Sequence, residues 1–113
     1  MDRDTVILFT RNGLGDAPAE LQQVLVAKFL TLTLESGELP GKILFYTEGV
    51  KLVCEGSAVI PQLKEMEKRG VELVICQTCL NFFNLAEAVR AGVVGGMGDI
   101  LTTLQKAAKV LSV

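Results

Sequence analysis

Five short apolar runs, separated by stretches of helical pattern, constrain this chain more than any other feature. They predict strands at residues 5–9, 43–46, 71–76, 92–95 and 110–113. The runs lack the strict polar–apolar alternation of a half-exposed strand, which is typical of strands buried on both faces of a parallel sheet. Strands that alternate with helices form βαβ units. The sequence therefore predicts one α/β domain over residues 1–113, a three-layer α/β/α sandwich with a mainly parallel sheet of about five strands.

Four helices are predicted between these strands from start and stop signals. They cover about residues 16–35, a stretch from an N-cap at Ser57 to Gly70, about residues 80–91, and a stretch from a cap at Asp99 to about residue 109. Residues 21–34 are apolar around most of the helix circumference. Such a helix is buried on more than one side, and in so small a domain the second side predicts contact with another copy of the chain.

Composition excludes several classes of protein. Eleven basic and thirteen acidic side chains give a net charge of −2, which argues against a nucleic-acid binder. With no histidine and three cysteines, the chain lacks a Cys-His catalytic pair and the ligands of a structural zinc site. Gly13 and Gly15 begin a dinucleotide fingerprint, but Pro18 replaces its third glycine. We therefore expect neither a metal nor a cofactor.

Membrane and export signals are also missing from the sequence. No apolar stretch reaches about 18 residues, so no transmembrane helix is predicted. The N-terminal residues do not follow the pattern of a secretory signal peptide. We expect a cytoplasmic protein whose thiols stay reduced.

The chemistry is expected at the carboxyl edge of the sheet, where open parallel sheets bind their ligands. Cys76 and Cys79 form a CxxC motif where the third strand meets the next helix, and Cys54 follows the second strand. Unpaired N–H groups at a helix start, here near residues 78–80, favour thiolate, the nucleophile of sulfur chemistry. We expect the strand-end loops to line the site with Asn12, Gly13, Gly49, Cys54, Thr78 and Gly96.

Three functions remain open from the residues alone. The protein would be a carrier or transferase of sulfur if Cys76 acts as a thiolate nucleophile and Cys79 as the second thiol. A reversible Cys76–Cys79 disulfide would make it a thiol redox switch. In an oligomeric binding module that is not an enzyme, the loops would bind a small anion or a partner and the cysteines would be dispensable. Whether the first of these functions means catalysis or carriage is also open.

Three segments carry a family resemblance: KFLTLTLESGELP at residues 28–40, GVKLVCEGS at 49–57 and GVELVICQTCL at 70–80. Together they resemble the DsrE/DsrF-like family, and within it the DsrE-like domain of YedF-type proteins linked to selenium metabolism. The resemblance spans nearly the whole chain and implies an α/β/α domain that assembles as a trimer or hexamer.

The same resemblance implies a function in sulfur relay. The position that carries a persulfide in such proteins corresponds to Cys76, and Cys79 matches the second cysteine of the YedF-like branch. YedF-type proteins often carry an additional domain resembling the TusA/SirA sulfur carriers, which implies such a carrier as a partner here. The resemblance implies no role for Cys54.

Overall fold

The five predicted strands form a single parallel sheet. The computed structural model describes residues 1–113, and its strands are β1 (Thr5–Phe9), β2 (Lys42–Phe45), β3 (Glu72–Cys76), β4 (Val93–Gly95) and β5 (Lys109–Ser112). Their order in the sheet is β4-β3-β2-β1-β5, and every neighbouring pair is parallel. All five residues of β1 are buried. The parallel α/β sheet predicted from the continuous apolar runs is therefore confirmed.

Helices cover both faces of this sheet. They are α1 (Ala19–Ser36), α2 (Ile60–Lys68), α3 (Gln77–Phe82) and α4 (Met97–Lys106), and a 3-10 helix spans Thr47–Val53. Phe9 meets Phe29 of α1 edge to face, with ring centroids 6.4 Å apart. Val6 points to the opposite face because side chains alternate along a strand, and it shares a groove with Thr103 of α4. The α/β/α layering is therefore as predicted.

The helix predicted over residues 80–91 is wrong. The observed α3 starts three residues earlier and ends at Phe82. Asn84 adopts a left-handed conformation, with φ of 58°, and its N–H donates to the Asn81 carbonyl. The Leu85 N–H reaches back to the Leu80 carbonyl, which completes a Schellman motif. Asparagine takes the place that glycine usually fills in this motif, so the stop signal was not recognised.

Beyond this stop, the chain runs alongside the residues that follow the 3-10 helix. Val89 forms an isolated antiparallel bridge with Cys54. The Glu55 N–H donates to the Ala88 carbonyl, and the Arg90 N–H donates to the Val53 carbonyl. These long-range hydrogen bonds replace the helical bonds that the sequence pattern predicted.

Two predicted caps also differ from the structure. The N-cap of α2 is Val59, and the Ser57 hydroxyl accepts a hydrogen bond from the Val59 N–H just before the helix. The N-cap of α4 is Gly96, while Asp99 lies in the first turn, where its carboxylate accepts a hydrogen bond from the Gly96 N–H at 3.0 Å. Asp99 thus contributes to capping from inside the helix.

Candidate functional site

The CxxC motif lies at the carboxyl end of β3, as the sequence predicts. Cys76 is the last residue of β3 and pairs in register with Gly95 on β4. Cys79 lies in the first turn of α3, where its thiol neighbours that of Cys76. All three cysteines of the chain are free thiols.

The two thiols differ in their access to solvent. The Cys76 side chain is completely buried, with 0% exposure, whereas Cys79 is half-buried. Cys76 belongs to the apolar core cluster, and Cys79 packs against that cluster from its margin. A reagent in solution therefore meets the Cys79 sulfur first.

A backbone N–H group from a different loop is directed at the Cys79 sulfur. Thr47, at the start of the 3-10 helix that follows β2, donates its N–H to Cys79 Sγ with an N···S distance of 3.1 Å. This hydrogen bond joins the loop after β2 to the helix after β3. It stabilises negative charge on the Cys79 sulfur more than it stabilises the neutral thiol.

The acidity of Cys79 differs from the expectation for a thiol at a helix start. Burial raises the pKa of Cys79 above its ordinary value, and the neighbouring Cys76 thiol raises it further. The Thr47 N–H lowers the pKa but does not offset the burial. Because α3 has only six residues, it has few aligned peptide dipoles to favour thiolate. The raised pKa of Cys79 is therefore opposite in direction to the effect that a helix start has on a thiol.

Thr47 is in an unusual backbone conformation. Its φ is 50°, in the left-handed region that β-branched residues rarely adopt, and such a conformation costs about 1–3 kcal/mol. Its hydroxyl lies 2.5 Å from the Thr10 carbonyl oxygen and 2.7 Å from the Tyr46 carbonyl oxygen. The contact with Thr10 ties the loop after β2 to the end of β1. Sequence analysis missed Thr47 because no local pattern signals a left-handed threonine.

The predicted lining residues fall into three groups. Thr78 is exposed beside Cys79 on α3, and Gly96 follows the register partner of Cys76. Asn12 and Cys54 line a separate cavity that neither CxxC thiol lines. Gly13 and Gly49 serve close backbone packing: a Cβ at Gly49 would lie 2.2 Å from the Phe9 carbonyl oxygen, and one at Gly13 would lie 2.4 Å from Gln22 Cβ.

The separate cavity has a volume of about 530 Å³ and lies between the loop after β1 and the end of the 3-10 helix. Cys54 forms part of its wall with only 2% of its surface exposed, and its thiol donates to the Val50 carbonyl. Burial raises the pKa of Cys54, and the positive charge of Arg90 partly opposes this. Cys54 therefore behaves as a small core residue beside the cavity.

No three Cys, Asp or Glu side chains converge in a group that could hold a metal ion. No helix combines the length and hydropathy needed to span a membrane.

The chain belongs to the DsrE/DsrF-like family, whose model matches residues 6–113. This family is generally associated with sulfur relay. No curated protein sequence matches the chain significantly. The membership agrees with the family resemblance found in the three sequence segments.

Several solved structures share the fold. The protein MTH1491 of Methanobacterium thermoautotrophicum, of unknown function, superposes with a TM-score of 0.70 at 16% identity, over 96% of this chain and 97% of that one. The conserved protein BT1422 of Bacteroides thetaiotaomicron, also of unknown function, gives 0.68 at 23% identity, over 97% and 95%. The ychN protein of E. coli gives 0.68 at 14% identity, over the full length of both chains. At these identities the likeness establishes the fold.

Proposed function

We propose that this protein is a sulfur-relay protein that carries a sulfane sulfur on its CxxC motif. The observation that carries the proposal is the pair of neighbouring free thiols at the sheet edge, of which Cys79 is partly exposed and accepts the Thr47 N–H. Two neighbouring thiols can hold a sulfur as persulfide and control its release. The proposal includes the YedF-type branch of the family and selenium as an alternative cargo.

The exposures of the two thiols support a definite order of events. The Cys79 thiolate attacks the outer sulfur of a persulfide donor, forms a new S–S bond, and releases the donor as a thiolate. A thiol of the acceptor then attacks the outer sulfur and leaves Cys79 as thiolate again. The sequence favoured Cys76 as the nucleophile, but its complete burial favours Cys79 as the point of entry.

Cys76 then has the role of second thiol. If it attacks the inner sulfur of the Cys79 persulfide, a Cys76–Cys79 disulfide forms and hydrosulfide leaves. The two electrons lost by the thiols reduce the sulfane sulfur, and a dithiol reductant is needed to restore the pair. The burial of Cys76 in the core disfavours this reaction, so the sulfur is kept for an acceptor.

We propose two kinds of partner. A second copy of the chain packs on the exposed apolar side of α1, in a trimer or hexamer, and a separate TusA/SirA-like carrier exchanges sulfur with Cys79. Leu21, Val24 and Leu32 of α1 are about half or more exposed in one protomer, which supports the first partner.

Intact mass spectrometry tests the function directly. The reduced protein is incubated with a small-molecule persulfide donor beside Cys54→Ser, Cys76→Ser and Cys79→Ser variants. We expect a gain of one sulfur, reversible by dithiothreitol, that persists in Cys54→Ser and Cys76→Ser and disappears in Cys79→Ser. If the added sulfur were lost only in Cys76→Ser, Cys76 would instead be the thiol that takes up the sulfur. A parallel incubation with a selenium donor reports on the cargo.

The other two functions predict different masses in the same experiment. A redox switch gives a loss of two hydrogens in the wild type, from the Cys76–Cys79 disulfide, and no added sulfur in any form, Cys76→Ser included. A binding module, for which the cavity beside Cys54 is the supporting observation, gives no adduct on any form. Either result would refute the relay proposal.

A further inference from the structure

The residue that orients the Cys79 sulfur lies outside the CxxC motif. The Thr47 N–H donates to Cys79 Sγ, while the Thr47 hydroxyl contacts the Thr10 carbonyl. Thr10, Thr47 and Cys79 follow β1, β2 and β3, which are neighbours in the sheet. A chain of contacts therefore crosses three strand ends and terminates at the accessible thiol.

The backbone conformation of Thr47 indicates that these contacts have a functional role. Its left-handed φ of 50° is unfavourable for a β-branched residue, and strained residues of this kind cluster at functional sites. A hydroxyl has a single hydrogen, so it donates to one carbonyl at a time. A bond to Thr10 anchors the strained residue to β1, and that anchor fixes the direction of the Thr47 N–H.

We propose that Thr47 is a positioning residue, whose anchored N–H stabilises negative charge on the Cys79 sulfur. The role rests on the proposed function, because a sulfur carrier needs this charge twice. The Cys79 sulfur is negatively charged when its thiolate attacks a donor. It becomes negatively charged again when the acceptor takes the outer sulfur and Cys79 leaves as thiolate. A fixed N–H group supplies the stabilisation without reorganisation at either step.

Few other groups influence the charge on this sulfur. The Cys76 thiol is the neighbouring titratable group that affects it. In the 3-10 helix, Lys51 forms an ion pair with Glu48 at 2.5 Å and lies over the Phe83 ring of the segment after α3. The Lys51 charge is thus compensated by Glu48. A change in the titration of Cys79 upon substitution of Thr47 therefore reports on the N–H contact.

The test is the pH dependence of Cys79 alkylation in the full chain, followed by mass spectrometry of the Cys79 peptide. Thr47→Val keeps the β-branch but removes the hydroxyl anchor. We expect its alkylation profile to move to higher pH and its rate at neutral pH to fall several-fold. Thr47→Ser restores the hydroxyl and should restore the profile. Thr102→Val, an exposed threonine on α4, is the matched control and should match the wild type.

The positioning role would be overturned if Thr47→Val had the same pH profile of Cys79 alkylation as the wild type. It would also be overturned if Thr47→Ser shifted that profile as far as Thr47→Val does. Circular dichroism verifies the fold of each variant, and Thr47→Ala is a second variant without the hydroxyl if valine prevents folding. The readout does not depend on sulfur transfer. If the wild type takes up no persulfide while Thr47→Val still shifts the profile, the relay function fails and the positioning role stands.

Discussion

Lys51 lies over the aromatic ring of Phe83, with its ammonium nitrogen 4.6 Å from the ring centroid. This contact links the 3-10 helix after β2 to the segment after α3, next to the CxxC motif. Phe83 also meets Phe82 edge to face, with ring centroids 5.2 Å apart. The two phenylalanines nevertheless differ in environment, because Phe82 is 83% exposed and Phe83 is half-buried against the core.

The pair provides a matched test of this packing. Phe83→Ala loses the cation–π contact and part of the buried ring, and we expect it to lower the free energy of unfolding by about 2 kcal/mol. Phe82→Ala removes a ring that is mostly in water, and we expect a loss below about 1 kcal/mol. Urea unfolding measures both variants. Equal losses would show that the Lys51 contact contributes nothing to stability.

The raised pKa values of Cys54 and Cys79 predict a loss of stability in alkali. A thiol whose pKa is higher in the folded state keeps its proton there while the unfolded chain loses it. The stabilisation is complete below the pKa of an unfolded thiol and is lost as pH rises toward the folded value. Urea midpoints from about pH 7 to about pH 10, in the presence of a reductant, measure this decline.

Cys54→Ala removes one of these two thiols, so its urea midpoint should decline less steeply with pH than that of the wild type. The substitution also removes the Cys54 sulfur from the core and should cost about 1 kcal/mol at neutral pH. Parallel declines in the two proteins would contradict a raised pKa for Cys54.

Gly49 is required where the 3-10 helix approaches β1. A Cβ at Gly49 would lie 2.2 Å from the Phe9 carbonyl oxygen and 2.7 Å from its carbonyl carbon, and backbone atoms cannot move aside as a flexible side chain can. We expect Gly49→Ala to lower the free energy of unfolding by about 2 kcal/mol. Cys79 alkylation should also change, because the displaced helix carries Thr47.

Gly98 is the matched control for this substitution. It lies in the first turn of α4, and a Cβ added there would have no atom within 4 Å. Gly98→Ala should leave Cys79 alkylation unchanged and raise stability by about 0.5–1 kcal/mol, since alanine favours a helix. A Gly49→Ala variant as stable as Gly98→Ala would contradict the close approach to Phe9.

The exposed apolar side of α1 predicts a homo-oligomer, and a single charged substitution on this side should weaken it. Leu32 is 63% exposed in a single protomer, so Leu32→Glu should leave the protomer folded while it places a charge in the proposed contact. We expect light scattering after size-exclusion chromatography to show an oligomer for the wild type and smaller species for the variant. Leu101→Glu, on the exposed side of α4, is the control. A monomeric wild type would refute the assembly.

The sequence predicted most of the fold and the location of the thiols. The buried run of β1 was predicted without error because its strand bounds depend on local turn residues and continuous burial. The end of α3 was missed because Asn84 stops that helix in a conformation that glycine adopts more readily. The adjacency of Cys76 and Cys79 follows from their spacing in the chain, but their relative exposure does not.

The sequence by itself determined the parallel α/β architecture and the CxxC motif at the end of the third strand, because apolar periodicity and turn residues act locally. Tertiary structure decided which thiol meets solvent, how acidic that thiol is, and which N–H faces it. Cys76 is completely buried and Cys79 only half-buried because β4 and the core pack around the end of β3. Thr47 reaches Cys79 across 32 residues of sequence because β2 and β3 are neighbours in the sheet, and only the folded sheet brings their ends together.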